Sequence, residues 1–233
     1  MTTAGPVALV TGATQGIGRA IVVALSEAGY RVAVLARTVA DVSAVVGEIR
    51  HQGGTALPIP ADVTDARDVE RAIQTVLSEF SVLDVLVNNA GTGIRKPFQQ
   101  MTLSECDCLI DLNLKGVLYC TQAALRHMRA RHQGCIINIA SRAGCRPEPN
   151  LAVYSATKAA VIAFSRALAL EECALGIRVV AVCPGPVDTE RIRRLAPDLD
   201  RSSWLTPQDV ARAIVSVASD PSRGASGAVV ELY

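Results

Sequence analysis

The sequence predicts an α/β protein, a doubly wound parallel sheet of seven strands with helices on both faces, in one domain over residues 1–233. Three observations carry this reading. Short apolar runs recur seven times, each is continuous rather than alternating, and amphipathic segments separate them. Continuous apolar runs suit strands buried on both faces, as in a parallel sheet roofed by helices. Strand–helix–strand repetition then implies right-handed crossovers.

The runs are "PVALVT" (6–11), "RVAVLA" (31–36), "ALPIPA" (56–61), "LDVLVN" (83–88), "GCIINIA" (134–140), "IRVVAVC" (177–183) and "GAVVEL" (227–232). The segments between them that read as helices are 17–28, 40–51, 66–80, 103–131, 153–174 and 207–218. No Pro/Gly/Ser-rich linker divides the chain. The helices at 103–131 and 153–174 are long and largely apolar all round. A helix that covers a sheet and keeps apolar surface outside is expected to meet a second subunit, giving a homodimer or homotetramer. A thick core is the alternative.

Composition narrows the function. Half the residues are apolar and 19% are charged, which supports a sizeable core. A net charge of +1 and 3% aromatic residues give no case for nucleic acid or an anionic membrane as partner. The seven cysteines form no C-x-x-C pair and have no histidine at ligand spacing, so no metal site is expected. Most lie in apolar runs and read as buried small hydrophobes in a reducing compartment. The start lacks a signal-peptide pattern, and no apolar run reaches the ~20 residues that span a bilayer. A cytoplasmic protein is expected.

The first strand ends in "VALVTGATQGIGRAI", which puts Gly12, Gly16 and Gly18 between a strand and a helix. Glycines there let the backbone turn sharply and approach a pyrophosphate at a helix N-terminus. A tight loop is the plain alternative, but this junction of a doubly wound sheet is where a Rossmann fold binds a dinucleotide. The second strand ends Ala36, Arg37, Thr38, with a guanidinium and no carboxylate at the strand end. A carboxylate would bind the ribose 2′-OH of NAD, whereas Arg37 can grip a 2′-phosphate, so the cofactor reads as NADPH/NADP+, with a solvated surface arginine as the alternative. Asp62 in "ADVTD" could meet the adenine amino group, and Asn88 with Gly91 in "NNAG" suits a close backbone approach to the adenine ribose.

With these motifs collected, the chain resembles the short-chain dehydrogenase/reductase family almost end to end. The matching pieces are "TGATQGIG", "NNAG", Asn113 in "DLNLKG", Ser141 closing "IINIAS", "YSATK" and "PGPVDT". The resemblance implies a catalytic tetrad of Asn113, Ser141, Tyr154 and Lys158. It implies cofactor contacts from Gly12, Thr14, Gln15, Gly16, Ile17 and Gly18, from Arg37, Thr38, Asp62 and Val63, and from Asn89, Ala90 and Gly91. Tyr154, Lys158, Pro184, Gly185, Val187 and Thr189 complete that set, with Val187 and Thr189 holding the carboxamide for transfer of the pro-S hydride. The implied role of Asn113 is to hold a water that links Lys158 to solvent.

The chemistry suits the residue types. Tyr154 and Lys158 are i and i+4 and share a helix face. An ammonium about 4–5 Å from a phenol favours the phenolate by roughly 4 kcal/mol at an effective dielectric of ~20. That brings a group titrating near ~10 toward neutral pH, where it can exchange a proton with a carbonyl oxygen. Ser141 would donate a hydrogen bond where negative charge develops. Alone, Ser141 also reads as a helix cap, and Asn113 as a polar residue at a kink.

The pattern implies reduction of a ketone or a 3-oxoacyl thioester by NADPH. Oxidation of a secondary alcohol, or NADP binding without turnover, are the alternatives. Gln15 stands where many NADP-preferring members carry Lys or Arg, which leaves selectivity to Arg37. Arg95, Arg142, Arg146 and Glu148 make a polar wall, read either as a seat for an anionic or carrier-linked substrate or as solvated surface. Leu175 replaces a basic residue used for carrier docking in such reductases, while Arg129 and Arg131 remain. The loops 92–100, 142–152 and a short lid at 189–206 would shape the pocket, with Trp204 as the lid's apolar anchor or a core plug. The ending "GAVVELY" lacks the family's "DGG", which leaves dimer and tetramer both open.

Overall fold

Strand β1 (Val7–Thr11) shows why the apolar runs are continuous. Successive side chains point to opposite faces, yet all five are buried. Ala8 and Val10 enter one apolar cluster, Val7 and Leu9 the other. With both faces roofed, no polar alternation is left for the sequence to show. The computed structural model describes residues 5–195, 200–220 and 226–233.

β1 lies between β2 (Arg31–Ala36) and β4 (Val85–Asn88), with Val10 opposite Val34 on one side and Val87 on the other. The chain first runs outward to β3 (Ala56–Pro60). It then crosses back over β1 to β4, β5 (Gly134–Ile139), β6 (Ile177–Pro184) and β7 (Val229–Leu232). The sheet has seven parallel strands, as the sequence predicts, in the order β3-β2-β1-β4-β5-β6-β7. Reversal between β1 and β4 parts the loops at the strands' carboxyl ends and opens a crevice there. Pro58 and Pro60 lack an N–H, and β3 tolerates them because it is an edge strand paired only to β2.

Helices α1 (Gly16–Glu27), α2 (Val39–His51) and α9 (Pro207–Ser219), the last following the short α8 (Glu190–Leu195), cover one face, placing Ile21, Val46 and Ile214 with Val10 and Val34. Helices α3 (Ala66–Phe80), α5 (Gly116–Arg131) and α7 (Ala152–Glu172) cover the other, placing Val76, Met128 and Leu168 with Leu9 and Leu86. Each fully enclosed Leu or Ile contributes roughly 1.5–3 kcal/mol.

Three expectations are corrected. The single helix read at 103–131 is α4 (Leu103–Ile110), a π-helical turn (Asp111–Lys115) and α5. The π-turn adds a residue to the turn and swings Asn113 inward to full burial. Second, α7 with its following turn, Ala152–Leu175, has a mean hydropathy of 1.2 over an 18-residue window and is apolar enough to cross a membrane by length and composition. It packs on β6 and on α6 (Arg142–Cys145) and carries buried Lys158, Ser165 and Glu172, as a sheet-covering helix. Third, only Cys120, Cys135 and Cys183 are buried, while Cys106 and Cys145 are half-buried and Cys108 and Cys173 exposed. Cys108 is on the outer side of α4, and Cys173 opens the turn after α7.

Candidate active site

The first glycine loop is fixed by contacts that no side chain could share. Gly12 and Gly16 have φ of 62° and 51°, the left-handed region that favours glycine. A Cβ on Gly12 would lie 2.9 Å from the Ala90 Cα, and one on Gly18 would lie 2.2 Å from the Gly12 carbonyl oxygen. Asn89 Nδ2 donates to the carbonyls of Thr11 and Gly12 at 2.9 and 3.1 Å. The Thr11 hydroxyl accepts from the N–H groups of Asn89 and Ala90, each at 3.0 Å. The ends of β1 and β4 are thus locked together beneath the crevice. Asn88 takes no part in it. Its side chain turns inward and donates to Thr121 Oγ1 and Asn138 Oδ1 at 3.1 and 2.8 Å, so the cleft receives Asn89, Ala90 and Gly91 instead.

The helix ends point the same way. α3, α4 and α9 begin with side-chain caps from Asp65, Thr102 and Thr206. α1 and α2 begin at Gln15 and Thr38 with no side-chain cap. Both starts open into the cleft, where first-turn N–H groups are suited to hold phosphate.

The cleft has a volume of about 350 Å3. It gathers Gly12, Thr14, Gln15, Gly16, Ile17, Gly18, Arg37, Thr38, Asp62, Val63, Asn89, Ala90, Gly91 and Thr189 from the sequence reading. Tyr154, Lys158, Pro184, Gly185 and Val187 lie outside its lining. Asp41 and Glu190 line it too, although no motif in the sequence marks them. The strand end carries no carboxylate, but the first turn of α2 brings Asp41 to the wall that holds Arg37. A carboxylate four residues after Arg37 was the available signal. Asp62 Oδ1 accepts from the backbone N–H and the hydroxyl of Thr64 at 2.9 and 2.8 Å, which fixes the carboxyl at the cleft edge.

Three of the tetrad candidates, Asn113, Tyr154 and Lys158, converge beyond Gly91. A Cβ on Gly91 would be 3.0 Å from Asn113 Oδ1 and 3.4 Å from Lys158 Nζ. Asn113 Oδ1 accepts from the Thr92 N–H at 2.8 Å, and its Nδ2 donates to the Thr92 carbonyl at 2.9 Å and to Thr157 Oγ1 at 3.2 Å. Lys158 is 4% exposed and donates to the Ile139 carbonyl at 2.8 Å. Burial pushes its pKa down to about 8, so its charge depends on pH and is not fixed. Its Nζ stands 6.0 Å from the centroid of the Tyr154 ring, and a Cβ on Gly93 would lie 3.6 Å from that ring. Ser141 Oγ accepts from the Ala143 N–H at 3.1 Å and so caps α6. The cap uses an oxygen lone pair and leaves the O–H to donate, so the capping role and a donor role are compatible.

The substrate side is held by ion pairs. Arg95 and Arg142 both bind Glu148, at 2.8 and 3.0 Å, and Arg146 reaches Glu231 at 3.9 Å and lies over the Tyr233 ring. The arginines of this wall are therefore partnered within the chain. In the lid, Trp204 and Leu205 are both half-buried, but Leu205 forms a parallel bridge with Val187 and packs on the core, so Leu205 is the anchor. Residues 196–199 of the lid lie outside the described residues. Arg129 holds the fully buried Glu172 and Arg131 pairs with Asp84, both toward the amino ends of the strands, away from the cleft. Leu175 packs against the core.

A cradle that any Cβ would fill, two uncapped helix starts and a guanidinium on the far wall fit a phosphorylated dinucleotide. The fold and site thus define a dinucleotide-dependent oxidoreductase acting on carbonyl and hydroxyl groups. The short chain dehydrogenase family matches residues 6–200, and the chain belongs to that family. It is 40% identical over 222 residues to a 3-oxoacyl-[acyl-carrier-protein] reductase of Synechocystis sp., covering 93% of this chain and 90% of the relative. A Staphylococcus aureus protein of the same description is 39% identical over 235 residues, covering 97% and 95%. Among solved structures, a variant of actinorhodin polyketide ketoreductase with NADPH superposes with a TM-score of 0.93 at 31% identity, covering 100% and 97%. A Brucella melitensis 3-ketoacyl-(acyl-carrier-protein) reductase complexed with NADH gives 0.90 at 32%, covering 98% and 96%.

Proposed function

We propose that this chain is an NADPH-dependent reductase of ketones or 3-oxoacyl thioesters, with Tyr154 as the general acid. The observation that carries the reading is the convergence of Asn113, Lys158 and Tyr154 on Gly91 and Gly93, where the dinucleotide cleft ends. The relatives named as 3-oxoacyl reductases support the substrate class. Gly12, Gly16, Gly18 and the start of α1 would hold the pyrophosphate, Arg37 the 2′-phosphate, and Val187 and Thr189 the nicotinamide end. The bound cofactor supplies the hydride. Tyr154 gives its proton to the carbonyl oxygen, and Ser141 donates a hydrogen bond to that oxygen as charge builds on it. Lys158, when protonated, favours the phenolate that remains.

The same reading covers assembly and place. One catalytic domain with a lid at 189–206 would act as a homodimer or homotetramer, with exposed Leu103, Ile110 and Leu170 available for subunit contacts. Seven free thiols suit the cytoplasm.

The test is oxidation of NADPH and of NADH over ketones, diketones and 3-oxoacyl thioesters, with Tyr154→Phe alongside. NADPH-selective turnover that the variant lowers about 10³-fold, with NADPH binding retained, is expected. Wild-type turnover that survives Tyr154→Phe would remove the phenol from its role. NADPH binding with no turnover of any carbonyl would move the reading to alcohol oxidation.

A further inference from the structure

The loops at the substrate mouth come from distant parts of the chain, yet one carboxylate joins them. Arg95, on the loop after β4, donates to Glu148 Oε2 at 2.8 Å. Arg142, the first residue of α6 in the connection after β5, donates to Oε1 of the same carboxylate at 3.0 Å. The two guanidiniums hold the Glu148 carboxyl below its ordinary range. Beside this junction the Lys96 N–H donates to the Asn150 carbonyl at 2.8 Å, a backbone bond between the same two loops.

Each loop leads directly to the tetrad. Asn113 grips both backbone groups of Thr92, three residues before Arg95. Arg142 follows Ser141, and its guanidinium reaches Gly185, where a Cβ would be 3.9 Å from Nη1. Gly144, in the same turn, is wedged on α7 so closely that a Cβ would lie 2.8 Å from the Lys158 carbonyl carbon. A path therefore runs from Asn113 through Thr92, Arg95, Glu148 and Arg142 to Ser141, and it closes on the helix that carries Tyr154 and Lys158.

We propose that Glu148 is a positioning residue that latches the loop after β4 to the loop after β5 and so holds Ser141 in register with Asn113 and Tyr154. This rests on the carbonyl-reduction reading above. Glu148 touches no reacting atom in this assignment. It acts on the rate through the geometry of Ser141, where a small misplacement is costly. Partly exposed ion pairs add little to folding, so the latch should change the rate more than the melting temperature.

The experiment compares wild type with Glu148→Ala, Glu148→Gln, Arg95→Ala and the Arg95→Ala/Glu148→Ala double variant. It reads kcat, KM for a ketone that wild type reduces, NADPH affinity, and amide hydrogen exchange over 92–97 and 142–151. In Glu148→Ala, kcat should fall about fivefold, the scale of a lost ion pair, with KM and NADPH affinity within about twofold of wild type. Exchange in both loops should quicken, Glu148→Gln should recover part of the loss, and the double variant should be no slower than Glu148→Ala. An unchanged kcat with unchanged exchange would overturn the latch. So would a rise in KM at constant kcat, which marks a substrate contact, or losses that add in the double variant. Exchange is read on the protein alone, so it judges the latch even if no carbonyl is turned over, which is instead the failure of the proposed reaction.

Discussion

The two halves of the cleft are held by different kinds of bond. On the cofactor side, two neutral side chains, Thr11 and Asn89, bond to main-chain N–H and carbonyl groups at strand ends, and Gly18 packs against the Gly12 carbonyl. On the substrate side, the loops meet through side-chain ion pairs, with Glu148 between Arg95 and Arg142, and Asp188 between Arg193 and Arg201. The main-chain groups at the ends of central strands are placed by the sheet, so this lock asks only that Thr11 and Asn89 be kept. Ion pairs between loops depend on a few residues and can be exchanged without disturbing the core. A fold built this way can keep one cofactor and vary its substrate.

The strongest way to break the contrast is to put a methyl group into the side that is locked onto main-chain groups. In Gly18→Ala the new Cβ would meet the Gly12 carbonyl at 2.2 Å and Asn89 Nδ2 at 2.5 Å, and neither can move without parting β1 from β4. NADPH affinity should fall about 100-fold or more, and stability by roughly 1–3 kcal/mol. Calorimetric titration and thermal melting read the two effects. Wild-type affinity in this variant would show that the loop is less tightly fixed than its contacts imply.

A second test concerns the lysine between the halves. Lys158 has a folded pKa of about 8 against an ordinary 10.5, because burial disfavours its charge. Between those values the unfolded chain binds more protons than the folded one, so stability of the cofactor-free protein rises with pH over about 8 to 10.5. Below about 8 the charged lysine costs roughly 3 kcal/mol. Lys158→Met should abolish that rise and melt higher than wild type near pH 7, offset by about 1 kcal/mol for the lost bond to Ile139. Denaturant titrations at pH 7, 8.5 and 10 check this, and a wild-type slope that survives in the variant would assign the titration to another group.

The legibility of the sequence follows the same division. The seven strands were readable because burial on both faces writes a continuous apolar run. The glycine loop was readable because φ of 62° at Gly12 and contact at Gly18 admit one residue type. The π-turn at Asp111–Lys115 was not, since "DLNLKG" has no breaker before Gly116, and the turn answers to a bond between Asn113 and Thr92, 21 residues away. Asn88 and Asn89 are chemically identical, and only the strand's pleat decides that the first turns into the core. Glu148 was seen as part of a polar wall, but its partner Arg95 is 53 residues away, and no local pattern announces that pairing.

The finest test lies on the wall where Arg37 and Asp41 stand together. Arg37 is exposed there and has no ion pair among the described residues, so its guanidinium is available to a 2′-phosphate. Asp41 lines the same cleft, so it would place a negative charge near a 2′-phosphate held by Arg37. The two charges act in opposite senses, and contact distance decides which wins: a charge-assisted fork outweighs a solvent-screened repulsion. NADPH preference should therefore survive Asp41 but be weaker than Arg37 alone would give. Arg37→Asp should lower kcat/KM with NADPH about tenfold or more while leaving the NADH value within about threefold, the scale of a lost charge-assisted pair. Asp41→Asn should move the other way and by less, raising NADPH affinity about two- to fivefold without touching NADH, as removal of one exposed like charge implies. Equal gains for both cofactors in Asp41→Asn would mean that the carboxylate acts on the shape of the first turn of α2 rather than on the phosphate, and selectivity would then rest with Arg37 alone.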